Sequence, residues 1–256
     1  CKYLYKGVTY LDMSTKYWEG LELKKQQEYA KQHQKGYAKE AGLEIEKSFP
    51  AGKAKMEFRL IPPGQFWMGS PETEKEREIW GKEKRHQVLI SKPYYAGKYQ
   101  VTQEQWKAVM GNNPSKFKGD KLPVEYVSWN DCKEFCDKAK LRLFTEAEWE
   151  YACRSGTTTP FNSGENITPE QVNYDGNYPY AGGVKGEFRE TTVQAGSLAN
   201  ENAYGCYDLH GNVFEWCLDL YTDDYQNLSF VDPNNAKSGS GRVYRGGGWG
   251  ASAWYC

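Results

Sequence analysis

Seven cysteines occur in the 256 residues, yet no two stand in a Cys-x-x-Cys spacing, so the chain encodes neither a zinc knuckle nor a thioredoxin-type motif. The odd count leaves at least one thiol unpaired within the chain. No apolar run approaches the roughly 18 residues that a membrane-spanning helix needs. Neither sign of charge prevails. Lys and Arg number 33 against 34 Asp and Glu, a net charge of -1, which gives nucleic acid or an anionic membrane no bulk handle. Histidine is scarce as well. His33 lies in a charged helical stretch, His86 ends a surface loop, and His210 suits a hydrogen-bonded structural imidazole better than a catalyst. The glycine run 246–250 is followed by no helix pattern and so is no dinucleotide fingerprint.

What the sequence does have is aromatic residues. They make up 15% of the chain at a mean hydropathy of -0.85, a combination that suits a loop-rich fold with a Trp- and Tyr-built core. The organisation is uneven. Residues 1–50 are set apart, and from 17 to 47 they read as a charged helix rich in Lys, Glu and Gln. Trp18, Leu21, Tyr29 and Tyr37 are its sparse apolar points, and Gly20, Gly36 and Gly42 weaken it. This appendage is expected either as a stalk or as a helix laid over the main domain. The boundary falls at 49–52, and residues 51–256 form the main domain.

Within that domain, 56–61 alternate as a strand and Pro62-Pro63-Gly64 turns it into a second one at 66–69. Residues 71–86 read as a charged surface loop and 88–90 as a short strand. Thr102 with Gln105, and Thr145 with Glu148, are capping boxes that open helices. A further helix over 130–140 puts Cys132, Phe135, Cys136 and Ala139 on one face, which makes the two thiols core residues rather than ligands. Glu146, Glu148 and Glu150 are helix-start carboxylates favoured by the macrodipole before they are acids or bases. From 156 onward Gly, Asn, Asp, Tyr and Trp dominate, and order there must come from turns and buried aromatics, with or without bound ions.

Six motifs follow one another in order: IPPGQFWMGS at 61–70, YQVTQEQW at 99–106, LPVEYVSW at 122–129, LRLFTEAEWEYA at 141–152, GCYDLHGNVFEW at 205–216 and RVYRGGGW at 242–249. Together they resemble the formylglycine-generating enzyme and sulfatase-modifying-factor family, from about residue 56 onward. The resemblance implies an α+β, loop-rich, C-type lectin-like fold of the formylglycine-generating type, carrying the N-terminal helical appendage. Phe144 stands where the family usually has Pro. Members usually continue past Gly-Gly-Gly-Trp to a final strand near Gly-Phe-Arg, which these 256 residues do not contain.

The family's enzymes oxidise a cysteine in a Cys-x-Pro-x-Arg substrate to formylglycine with O2 and copper, using a Cys-x4-Cys pair. Two thiolates are needed because soft Cu(I) takes paired sulfur ligands. On this chain the second cysteine falls on Cys256 and the first on Ala251, whose methyl group is no ligand. If the protein is an enzyme, Cys256 is its catalytic residue; the preferred reading is a binding protein that requires no cofactor. The C-terminal segment is similar to that of the variable proteins diversified by retroelements, the Treponema variable-protein type. Gly250, Ala251, Ser252 and Tyr255 are each one or two adenine changes from an Asn codon, and Trp254 is likewise reachable from an Arg codon. These five positions are the expected recognition surface for a protein or surface ligand, aromatics anchoring and small residues adapting. That Trp254 and Tyr255 merely pack is the alternative.

The family resemblance also implies a calcium site. Asp208 and Glu215 would supply carboxylates, and Gly211 and Val213 backbone carbonyls, as hard oxygen ligands require. Asn173 is a candidate for a second site, and a metal-free hydrogen-bonded loop is the alternative. Finally, the chain starts at Cys1 with no Met before it. A processed bacterial lipoprotein begins with a lipid-modified Cys, so the expectation is a cell-surface or periplasm-facing lipoprotein that meets the membrane only through Cys1. A truncated chain that happens to start there is the alternative.

Overall fold

The computed structural model describes residues 2–5, 8–77, 84–222, 225–237, 239 and 241–256. Cys1 and part of the expected 71–86 loop lie outside the described residues. The chain opens with strands β1 (Lys2–Tyr5) and β2 (Val8–Asp12), then helices α1 (Lys16–Glu19) and α2 (Leu23–Ala41). Strands β3 (Glu46–Ala51), β4 (Ala54–Ile61), β5 (Gly64–Met68), β6 (His86–Ile90) and β7 (Tyr94–Gly97) follow. Helices α3 (Gln103–Met110), α4 (Trp129–Ala139) and α5 (Glu146–Arg154) precede a long irregular stretch, which ends in β8 (Glu215–Leu220) and β9 (Arg242–Arg245). Among the described residues three sheets result, ordered β1-β2-β5-β6, β3-β4-β7 and β8-β9.

Local chemistry explains most element ends. Thr102, Ser128 and Thr145 each cap a helix in a reciprocal capping box with Gln105, Asp131 and Glu148. The helix expected over 17–47 is broken in two, because Gly20 ends α1 and Gly42, at φ 64°, ends α2. After Gly42 the Leu43 N–H bonds back to Ala38 O at 2.8 Å, closing the last turn. Gly36 stays inside α2, where nothing crowds its open side.

The line drawn at 49–52 is crossed by a hairpin. β3 pairs with β4 from Glu46↔Arg59 to Ala51↔Ala54, and β2 pairs in parallel with β5 at Leu11↔Gly64. Helix α2 lies over the domain on a stripe that charge patterning hid. Gln26, Ala30, Gln34 and Ala38 are its buried residues, spaced four apart. Both glutamine amides are engaged: Gln26 Nε2 donates to Trp18 O at 2.9 Å and Thr158 Oγ1 at 3.0 Å, and Gln34 Nε2 to Leu60 O at 2.7 Å and Tyr204 O at 2.9 Å. Replacing Gln34 by Leu takes the amide donor from the Leu60 carbonyl and leaves Tyr204 O with Arg59 Nε at 3.2 Å. The expected cost is roughly 1–3 kcal/mol, read as a lowered urea midpoint, whereas exposed Lys35→Ala should leave the midpoint in place.

The core is built from Trp and Tyr as expected, with a gradation. Trp106 and Trp149 are 3% exposed, and Trp106 stacks on Phe135 with centroids 5.1 Å apart. Trp129 and Trp216 are half-buried, and each indole N–H is tied to a main-chain oxygen, of Cys217 and Val127 respectively. Cys136 is buried beside Phe135 and Cys132 is half-buried, both packed in the same cluster. Burial pushes their thiols up to about 11 and about 12. All six described cysteines are free.

Candidate functional site

The chain leaves β9 through two glycines that no other residue replaces cheaply. Gly246 and Gly247 have φ of 95° and 72°. A Cβ on Gly247 would lie 2.7 Å from Cys256 Sγ, and one on Gly246 2.9 Å from Leu209 O. Beyond them the main chain is fastened at intervals. Trp249 N–H donates to Asn212 O at 2.9 Å, Ala251 O accepts from Asp175 N–H at 2.8 Å, and Ala253 N–H donates to Tyr178 O at 3.0 Å. Ala253 is fully buried in a cluster with Phe161, Tyr174 and Tyr180.

Between these fastenings the side chains face outward. Gly250 is exposed, Ala251 and Ser252 are half-exposed, and Trp254 and Tyr255 are 41% and 54% exposed. The structure therefore brings all five expected recognition residues onto one short run. Trp254 is partly engaged, its indole N–H donating to Glu76 O at 2.5 Å. Two aromatics that sequence reading left out extend the surface. The Trp254 and Tyr255 rings lie 4.7 Å apart, Tyr255 lies 6.4 Å from Phe214, and Phe214 lies 5.0 Å from Tyr244. Phe214 and Tyr244 are 41% and 54% exposed. Strand alternation carried the signal for Tyr244, since buried Val243 precedes it on β9. This strip borders a cavity of about 1530 Å³ lined by Phe49, Tyr95, Trp106, Leu143, Trp216 and Trp249, among others.

His210 braces the segment from below. Its Nε2 accepts from Asn162 N–H at 3.2 Å, which leaves Nδ1–H to donate to the Cys256 main-chain oxygen at 2.6 Å. Burial lowers its pKa to about 4, so the ring is a neutral structural clamp. Cys256 is half-buried, and burial pushes its thiol up to about 12. Ala251 presents only a methyl group.

The residues read as a calcium site converge in part. Gln100 Nε2 donates to the main-chain oxygens of Asp208, Gly211 and Val213 at 2.9, 3.3 and 3.1 Å, and to Glu215 Oε1 at 3.1 Å. The Asp208 carboxylate turns away, accepting from Gly196 N–H at 2.5 Å and Asn200 Nδ2 at 3.0 Å. Glu215 Oε2 accepts from Trp149 Nε1 at 3.1 Å. Burial raises the Glu215 carboxyl to about 7 against these two donors. Asn173 stands behind the group, its Nδ2 donating to Thr191 O at 2.9 Å and Asn212 Oδ1 at 3.1 Å. Gln100 lay unremarked inside the second motif, because its partners are 108 to 115 residues away.

Comparison with known proteins agrees with this architecture. The chain is 33% identical over 176 residues to the formylglycine-generating enzyme of Mus musculus, a match covering 67% of this chain and 46% of that protein. It thus spans about half the length of that relative. Over 134 residues it is 35% identical to the inactive C-alpha-formylglycine-generating enzyme 2 of Mus musculus, covering 50% of this chain and 38% of that one. Among solved structures, Treponema denticola variable protein 1 superposes with a TM-score of 0.69 at 28% identity, covering 83% of this chain and 91% of that chain. The fold is the α+β C-type lectin-like fold of the formylglycine-generating type. Residues 44–255 match the sulfatase-modifying factor enzyme 1-like domain, and the chain belongs to that family.

Proposed function

We propose that this protein is a non-catalytic display module that binds a protein or surface ligand through Gly250, Ala251, Ser252, Trp254 and Tyr255, continued by Phe214 and Tyr244. The observation that carries the reading is the division of labour along 249–255: the main chain is tethered at Trp249, Ala251 and Ala253, and the side chains of Ser252, Trp254 and Tyr255 reach the surface, with the Trp254 indole N–H bonded to Glu76 O. A preorganised backbone bearing exposed Trp and Tyr lowers the entropic cost of binding. Likeness to the variable protein of Treponema denticola supports diversification of the same segment.

Catalysis is the second reading, favoured by the match to the mouse enzyme. Against it stand Ala251, which offers copper no sulfur, and the Cys256 thiol, held protonated by burial at about 12. Incubation with copper, O2 and a Cys-x-Pro-x-Arg peptide should yield no formylglycine by mass at a catalytic rate. For binding, peptides are selected from a random display library on the wild-type protein. Trp254→Ala and Tyr255→Ala should each weaken a selected peptide by about tenfold or more, with melting temperature unchanged. Peptides that bind both variants as well as wild type would sink the display reading.

A further inference from the structure

Four oxygens meet at one point behind the display segment, and a nitrogen holds that point. We propose that the Gln100 side-chain amide does the work of a bound cation, so that the 208–215 loop and the segment it fastens are ordered without calcium. Three main-chain carbonyls and a carboxylate oxygen aimed at one centre are a donor set suited to a hard cation. Here the centre is Gln100 Nε2, at 2.9 to 3.3 Å from all four. A calcium ion at about 2.3–2.6 Å from the same oxygens would coincide with that nitrogen.

The direction of the amide is forced by a relay. The Val193 main-chain N–H can only donate, and it donates to Asn212 Oδ1 at 3.0 Å. Asn212 Nδ2 must then face Gln100, donating to Gln100 Oε1 at 3.2 Å. That leaves Gln100 Nε2 facing the four oxygens; a flipped amide would set oxygen against oxygen at each contact. Gln100, Asn212 and Asp208 are 7%, 1% and 1% exposed, so water does not relax the arrangement. Negative charge is also short. The Asp208 carboxylate is committed to Gly196 and Asn200, leaving Glu215 alone to face the centre. Among the described residues no three His, Cys, Asp or Glu gather into a metal-holding group.

The same loop fastens the display segment, through Gly211 N–H to Gly246 O at 2.5 Å and Trp249 N–H to Asn212 O at 2.9 Å. An uncharged hub there makes the surface indifferent to calcium around it. This inference stands apart from the display reading, since it is decided by metal response and not by ligand binding.

The test uses the full chain. Wild-type protein dialysed against EDTA should retain no stoichiometric calcium by elemental analysis, and its melting temperature should agree within about 1 °C between 1 mM CaCl2 and EDTA. Gln100→Glu sets a second carboxylate against Glu215 and the three carbonyls. Its melting temperature in EDTA should fall by several degrees and recover substantially with calcium, a response of about 4–8 °C per factor-of-five change in folding equilibrium for a small domain and less for one this size. Calcium-dependent melting of the wild type, or calcium retained at one per chain, would overturn the proposal. A folded Gln100→Glu protein with no calcium response would also count against it, because the oxygens would then not form a cation-shaped set. Should that variant fail to fold, the two wild-type measurements decide alone.

Discussion

Arg245→Met should cost about 3 kcal/mol of unfolding free energy, with wild-type fold retained in the survivors. Arg245 Nη2 donates to Glu150 Oε2 at 2.6 Å, and its Nη1 lies 3.6 Å from Glu146 Oε1. The Glu150 and Glu146 side chains are 5% and 8% exposed. The arginine supplies charge to both, and it also lies against the Trp149 ring at 5.4 Å. Removing it leaves two buried carboxyls facing each other with one cation, Arg154, still on Glu150 at 2.8 Å. That surviving partner is why the expected loss sits at the low end for a broken buried pair. Urea unfolding at neutral pH measures it, and a loss under about 1 kcal/mol would mean the network is solvated.

Glu150→Gln should remove a specific part of the acid sensitivity. Burial by itself pushes the Glu150 carboxyl up, but Arg154, Arg245 and the Gly69 N–H outweigh it and hold the group down at about 2. In the unfolded chain the same group titrates near about 4.3. The folded pKa is the lower one, so the carboxylate contributes stability that is fully present above about pH 4.3 and lost as pH falls through about 2. That contribution is on the order of 3 kcal/mol. The stability gap between wild type and Glu150→Gln should be widest near neutral pH and close as pH approaches 2. Buried Glu146, raised to about 7 chiefly by burial, works in the opposite sense at higher pH. Glu150 is itself one of the groups that raise Glu146, so the substitution also shifts that residue, and the part that belongs to Glu150 is the closing of the gap between about pH 4.3 and 2. A gap independent of pH would show the two arginines do not hold the group ionised.

Some of this was legible in the sequence because its causes are local. A capping box acts over three residues, so Thr102-Gln105 and Thr145-Glu148 announce α3 and α5 before any tertiary contact exists. The outward-facing run after Trp249 follows directly on the last motif, and its exposure is a local property of a short tethered segment. What stayed hidden depends on distant partners. Gln26 and Gln34 stand unmarked in a helix rich in Lys, Glu and Gln, because a glutamine counts as polar until the carbonyls it satisfies are known. The line at 49–52 falls inside the β3–β4 hairpin for the same reason, since Glu46–Ala51 becomes a strand only beside β4. Phe214 lay in a quoted motif, but only its edge contact with Tyr244, from a strand 30 residues on, makes it part of a surface.

The alternation of tethered and free positions along 249–255 separates two kinds of mutational load. Changes at Gly250, Ser252 and Tyr255 fall on outward-facing positions, while Trp249 and Ala253 carry the segment's attachment to the body of the protein and Trp254 does both, exposed yet bonded to Glu76 O. On the display reading proposed above, recognition can therefore drift without drawing down a stability reserve that, in a natural domain, is only about 5–15 kcal/mol. A lineage using this scaffold can explore many surfaces in succession, and each new variant starts from a chain that already folds.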